Sequence, residues 1–159
     1  METAAVKLKV KRLPHCRDLP RYATPGAAGL DLTAAIDGPL CLAPGKRLGM
    51  PTGLVVEIPP GYEGQLRPRS GLAAKAGVTL TNCVGTIDSD YRGEVVVLLI
   101  NHGDEVYIFE PGERIAQLLI TPVPRVEVIE VDETNDSERG SGGFGSTGRA
   151  MLASATILD

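Results

Sequence analysis

Residues 106–123 read Val-Tyr-Ile-Phe-Glu-Pro-Gly-Glu-Arg-Ile-Ala-Gln-Leu-Leu-Ile-Thr-Pro-Val. Two apolar, β-branched runs, Val106–Phe109 and Ile115–Val123, stand on either side of a Pro111-Gly112 pair. Proline presets the backbone for a turn and glycine supplies the conformations other residues avoid, so the chain reverses here between two strands. The same grammar extends outward in both directions. Val6, Leu8 and Val10 alternate, and further strand-like runs occur at Gly53–Ile58, Val95–Ile100 and Val126–Val131. Pro-Gly or Gly-Pro pairs at Pro25-Gly26, Gly38-Pro39, Pro44-Gly45 and Pro60-Gly61 recur too often for long helices. An all-β sandwich or barrel follows. One helix is predicted over Ser70–Ala76, with Ser70 as its N-cap and Gly77 as its stop.

The chain has 159 residues, with 19 glycines and 12 prolines, enough for one ordinary domain and a tail. A formal charge of -4 gives no positive field to hold a polyanion, so nucleic acid is not expected as a partner. Apolar runs such as Val95–Ile100 are far shorter than the ~20 residues that cross a bilayer. Lys7, Lys9, Lys11 and Arg12 occupy the place where a signal peptide needs an apolar block, so a soluble, unexported protein with no membrane partner is expected. Cys16, Cys41 and Cys83 are odd in number and contain no C-x-x-C pair, which fits free thiols in a reducing cytoplasm. His15 and His102 stand alone and are read as structural.

The composition changes after Val131. Five acidic residues fall between Glu130 and Glu138, and residues 139–148 contain five glycines. Such a segment buries too little to offset the entropy of ordering it, so residues 1–131 are expected to form the domain and 132–159 a flexible tail. Phe144 is one of only two phenylalanines, and its place in that tail suggests a partner on which to stack. No purpose is legible in the apolar piece Ala150–Leu158.

Polar clusters fall between the strands. Asp31 lies between two leucines. Arg67-Pro-Arg-Ser-Gly71 runs into the helix, where amides, a helix end and arginines suit an anion. Residues 82–94, Asn-Cys-Val-Gly-Thr-Ile-Asp-Ser-Asp-Tyr-Arg-Gly-Glu, read as a β-hairpin turning at Asp88–Gly93, with Asp88 and Tyr91 bordering one pocket. A carboxylate beside a phosphate site is a candidate general base for water. Arg114 and Gln117 both suit inward polar roles, Arg114 as a buried structural arginine paired with a carboxylate. P-loop, dinucleotide, serine-hydrolase and zinc-deaminase signatures are absent, and no metal-ligating spacing occurs.

Taken in order, Ala28-Gly-Leu-Asp-Leu32, Arg69-Ser-Gly71, Asn82 to Gly93, Gly112-Glu-Arg-Ile-Ala-Gln117 and Arg139-Gly-x-Gly-Gly-Phe-Gly-x-x-Gly148 resemble the five motifs of the trimeric dUTPases. The resemblance covers roughly Val6–Gly148. It implies a jelly-roll-like β-barrel, a homotrimer with active sites at subunit interfaces, and hydrolysis of dUTP to dUMP and pyrophosphate. That reaction keeps uracil out of DNA and supplies dUMP for thymidylate synthesis. The resemblance further implies Asp88 as the general base for water attacking the α-phosphorus. An ordinary aspartate, with pKa ~3.9, is ionised at neutral pH, so placement matters more than basicity. Arg69, Ser70, Gly71 and Gln117 would hold phosphates, while Asn82 and the backbone around Thr86, Ile87 and Val96 would read uracil. Tyr91 would lie under the deoxyribose. Phe144 would stack on the base, Arg139 would reach the γ-phosphate, and Gly145 with Ser146 would supply close donors. Mg²⁺ would ride on the substrate phosphates, with no direct protein ligand and Asp31 at most in its second shell. Two rivals share the barrel, a dCTP deaminase-like enzyme and a nucleotide-binding regulator without turnover. Asp88-Ser-Asp-Tyr91 and the Phe144 tail favour the hydrolase.

Overall fold

The computed structural model describes residues 5–143. Contacts divide the chain into two units, residues 1–124 and 125–159. The first unit carries β1 (Lys9–Arg12), β2 (Arg21–Tyr22), β3 (Leu30–Thr33), β4 (Leu40–Leu42), β5 (Arg47–Glu57) and β6 (Tyr62–Arg67). These are followed by α1 (Ser70–Ala76), β7 (Val78–Leu80), β8 (Gly85–Ile87), β9 (Glu94–Asn101), β10 (Tyr107–Phe109) and β11 (Arg114–Pro122). All pairings are antiparallel, in sheets ordered β1-β5-β9-β7, β2-β3-β11-β6-β8 and β10-β4. The expected all-β architecture with one short helix is therefore the observed one.

Strand periodicity builds the core. On β9, Val95, Val97 and Leu99 are buried while Val96 and Leu98 face outward. The buried set packs with Leu32, Met50, Leu54, Ile58, Phe109, Ile115 and Leu118 in one cluster. Each such side chain contributes about 1.5–3 kcal/mol by leaving water. Asn101 is also fully buried and every polar atom of its side chain is bonded: its amide nitrogen donates to the carbonyls of Leu42 (2.9 Å) and Glu105 (2.8 Å), and its oxygen accepts from Gly103 N–H (2.8 Å). A buried amide satisfied in this way ties the end of β9 to β4 and to the next turn.

Two local expectations are corrected. The N-cap of α1 is Arg69, extended at φ -96° and ψ 126°, and no side chain caps the helix; Ser70 is its first helical residue. The stop at Gly77 is as expected: its φ of 65° is left-handed, and a Cβ there would collide with the backbone of Gly103. The run Val126–Val131 forms no strand. Val126 is 80% and Val128 90% exposed, so this alternation has no sheet neighbour within the described residues.

Candidate active site

The loop from Asp88 to Gly93 joins strands in different sheets. β8 pairs with β6 (Gly64↔Ile87, Gln65↔Thr86, Leu66↔Gly85), whereas β9 lies between β5 and β7. The expected β-hairpin is therefore not formed: β8 ladders only with β6 and remains a sheet edge with one row of backbone groups unpaired, while β9 ladders with β5 along one edge and, over Leu99–Asn101 only, with β7 along the other. The chain turns at Asp88, whose carbonyl accepts from Tyr91 N–H at 3.1 Å. Arg92 stiffens the same loop by donating to the carbonyls of Ser89 (2.7 Å) and Tyr91 (2.8 Å).

Between these two strands opens a cavity of about 220 Å³. Its walls include Asn82, Thr86, Ile87, Asp88, Tyr91 and Val96, six of the residues expected at a nucleotide site. Leu66, Val95 and Leu98 add apolar surface. Asp88 is exposed, and Tyr91 is 45% exposed with its hydroxyl donating to the Glu94 carbonyl at 3.0 Å. A carboxylate open to water and a flat ring beside an unpaired strand edge can bind a planar heterocycle and handle a solvent proton.

The phosphate candidates assemble elsewhere. Asp31 on β3 faces Gln117 on β11, and Gln117 faces Arg67 on β6, forming one row across the sheet. Arg69 donates to the Arg114 carbonyl at 3.0 Å, and Arg114 donates to Asp31 Oδ2 at 3.2 Å. Asp31 is only 7% exposed, and its other oxygen, 3.9 Å from Arg69 Nε, has no hydrogen bond. Arg114 is paired with a carboxylate as expected, but its side chain is 52% exposed, so it is not a buried arginine. Ser70 and Gly71 are exposed at the first turn of α1, and a Cβ at Gly71 would meet nothing within 4 Å. Nearby, Tyr107 donates to Glu113. Burial first, and then that hydrogen bond, push its phenol up to about 12, opposed by the positive charge of Arg69.

These two groups do not meet on one chain. From the Arg67 row to the Gly64–Ile87 row is about 10 Å along β6, and from β11 to β8 about 10 Å across the sheet. Neither Arg69, Ser70, Gly71 nor Gln117 lines the cavity that holds Asp88. In the second unit, Arg139 Nε donates to the Gly142 carbonyl at 2.8 Å within a small turn. Phe144, Gly145 and Ser146 lie outside the described residues. Sequence reasoning reads His15 as structural and gives Glu94 no role in the site. Glu94 lines the cavity and is 2.8 Å from His15, a proximity across 79 residues that no local pattern signals.

Among the described residues, no group of three or more His, Cys, Asp or Glu could hold a metal ion, and no helix is long and apolar enough to cross a membrane.

The dUTPase family model matches residues 17–148. The deoxyuridine 5'-triphosphate nucleotidohydrolase of Methylocella silvestris is 61% identical over 147 residues, covering 90% of this chain and 92% of the relative. Among solved structures, the Staphylococcus bacteriophage 80alpha dUTPase with dUPNHPP superposes with a TM-score of 0.81 at 31% identity, covering 90% of this chain and 99% of the other. The dUTPase of phage phi11 of S. aureus, described with a structural Mg(II) ion, superposes with a TM-score of 0.72 at 25% identity, covering 80% and 97%.

Proposed function

The chain belongs to the dUTPase family, and we propose that it hydrolyses dUTP to dUMP and pyrophosphate at a site shared between subunits of a homotrimer. The observation that carries this reading is the 220 Å³ cavity, which gathers candidate base, sugar and water contacts from β8, the start of β9 and the loop between them. Asn82, the free edge of β8 at Thr86 and Ile87, and the backbone at Val96 read the uracil edge. A thymine methyl group finds no room there. Cytosine presents a donor where uracil presents an acceptor, leaving buried groups unpaired. Tyr91 occupies the space of a ribose 2'-hydroxyl.

Asp88 orients a water molecule and takes its proton as the water oxygen attacks the α-phosphorus in line. The bond from that phosphorus to the α–β bridging oxygen breaks, and pyrophosphate leaves with the bonding pair. Arg69, the amides of Ser70 and Gly71, and Gln117 hold the phosphates. The open space at Gly71 supports this, because no neighbour in its own chain demands a glycine there. A magnesium ion carried by the triphosphate would supply positive charge against the phosphate oxygens. The donor set fits such an ion: Asp31 keeps one buried oxygen without a hydrogen bond, which would serve the ion's hydration shell, while the described residues supply no cage of their own. The tail closes the site, with Phe144 stacking on the base, Arg139 meeting the γ-phosphate, and Gly145 and Ser146 donating at close range. Three free thiols support a cytoplasmic setting.

The distance between the Asp88 cavity and the Asp31–Arg69 cluster supports the shared site, because a triphosphate held by one cluster needs the other from a neighbour. Subunit mixing tests both claims. Asp88→Asn and Arg69→Ala proteins should each be nearly inactive; refolded together in equal amounts, about a quarter of the sites should recover the wild-type pair. Pyrophosphate release that stays at the level of the separate variants would defeat the shared site.

A further inference from the structure

Just after β9 begins at Glu94, its ladder with β5 is interrupted at Val95. Its register with β5 runs from Arg47↔Ile100 to Pro51↔Val96, then shifts and resumes at Val55↔Glu94. Thr52, Gly53 and Leu54 thus form a bulge opposite Val95. Side chains replace the missing ladder. Thr52 Oγ1 donates to the Val95 carbonyl at 2.6 Å, and the freed Gly53 N–H donates to Glu94 Oε1 at 2.7 Å. His15 Nε2 lies 2.8 Å from that same oxygen, and since a carboxylate has no proton to give, the ring nitrogen donates.

The turn carrying His15 is fitted to the bulge. Leu13 N–H donates to the Gly53 carbonyl at 2.8 Å, and Gly53, at φ 68°, packs so tightly that a Cβ would overlap the backbone of Cys16. At the other end of this network, the main-chain carbonyl of Glu94 accepts the Tyr91 hydroxyl, and the Tyr91 ring lies so close to Gly93 that a Cβ there would overlap it.

We propose that Glu94, clamped by His15 and the Gly53 amide, is a positioning residue for sugar discrimination. By fixing the start of β9 it fixes the carbonyl from which the Tyr91 ring is held in place. This rests on the dUTP-hydrolase reading and adds to it the residues that set how firmly the ring excludes a 2'-hydroxyl. A His–Glu pair with side chains 39% and 25% exposed contributes little to stability by itself. Its effect is geometric and is transmitted through one hydrogen bond.

The test is kcat and KM for dUTP and for UTP, with thermal unfolding recorded for every variant. Glu94→Ala should narrow the dUTP-to-UTP ratio of kcat/KM about tenfold. Glu94→Gln, whose amide oxygen still accepts from Gly53, should restore most of it, and His15→Ala should narrow it about threefold. Tyr91→Phe removes the hydroxyl at the far end of the network, so adding Glu94→Ala or His15→Ala to it should narrow the ratio no further. An unchanged ratio in folded Glu94→Ala, or losses that multiply in the double variants, would overturn the proposal. If Glu94→Ala does not fold, the same criteria apply to His15→Ala. If the wild type hydrolyses neither nucleotide, the hydrolase reading fails separately, and the clamp is judged by the same comparison of dUMP with UMP affinity measured by calorimetry.

Discussion

The two aspartates of the candidate site are held in opposite ways. Asp88 sits exposed on a loop between sheets, beside a cavity. Asp31 is buried in mid-sheet, bonded to Arg114 with Arg69 close by. A carboxylate left open is free to change partners during a reaction. One enclosed by arginines orders those arginines and serves the fold as much as the chemistry. The contrast predicts that one aspartate can be lost with little effect on stability and the other cannot.

The sharpest way to break this contrast is Asp88→Asn, which should lower dUTP turnover by about 10²–10⁴-fold while leaving the unfolding midpoint where it was. A clear loss of stability would mean that Asp88 also supports the fold. Removing residues 139–159 should lower turnover about 10²-fold through lost stacking and phosphate contacts. Chemical denaturation of the remaining barrel should not change, since the tail is expected to act on the nucleotide. Asp31→Ala leaves Arg114 and Arg69 without their carboxylate and should destabilise by ~1–3 kcal/mol, discounted because Arg114 is half exposed. Equal stability would place Asp31 on the same footing as Asp88.

The smallest effect concerns Tyr107, behind the Asp31 cluster. Its phenol, raised to about 12, is protonated in the fold where an unfolded chain would begin to lose the proton near 10. The stabilisation is therefore complete below about pH 10 and lost as pH rises through 12. Ultraviolet titration should find one of the four tyrosines ionising well after a free phenol, and Tyr107→Phe should remove that late step.

Much of this was legible because strand alternation and turn chemistry are local. β9 and β11 could be read from their side chains, and the helix from Ser70 to Ala76 was bounded by its glycine stop. What failed depended on distant partners. The run 126–131 has the alternation of a strand, but periodicity records a preference for a pleated surface and says nothing of an available neighbour. Residues 82–100 looked like a hairpin because nearness in sequence does not reveal that β6 and β5 claim its two halves. Asp31 gave only a weak signal as a lone acid between leucines, since its importance comes from Arg114, 83 positions away. The candidate residues from Asn82 to Val96 that line one cavity were readable together because they are close in sequence; the Glu94–His15 contact was not.

On β9, alternate residues divide their duties: Val97 and Leu99 fill the interior, buried Val95 fills it and borders the cavity, and Val96 and Leu98 look into the cavity. Selection can therefore act on the even positions to alter which base is accepted without disturbing the odd ones. A library varied at 96 and 98 should stay rich in well-folded members, whereas one varied at 95, 97 and 99 should be dominated by chains that never reach the native state. This strand gives a lineage room to explore new nucleotides while its scaffold stays constant.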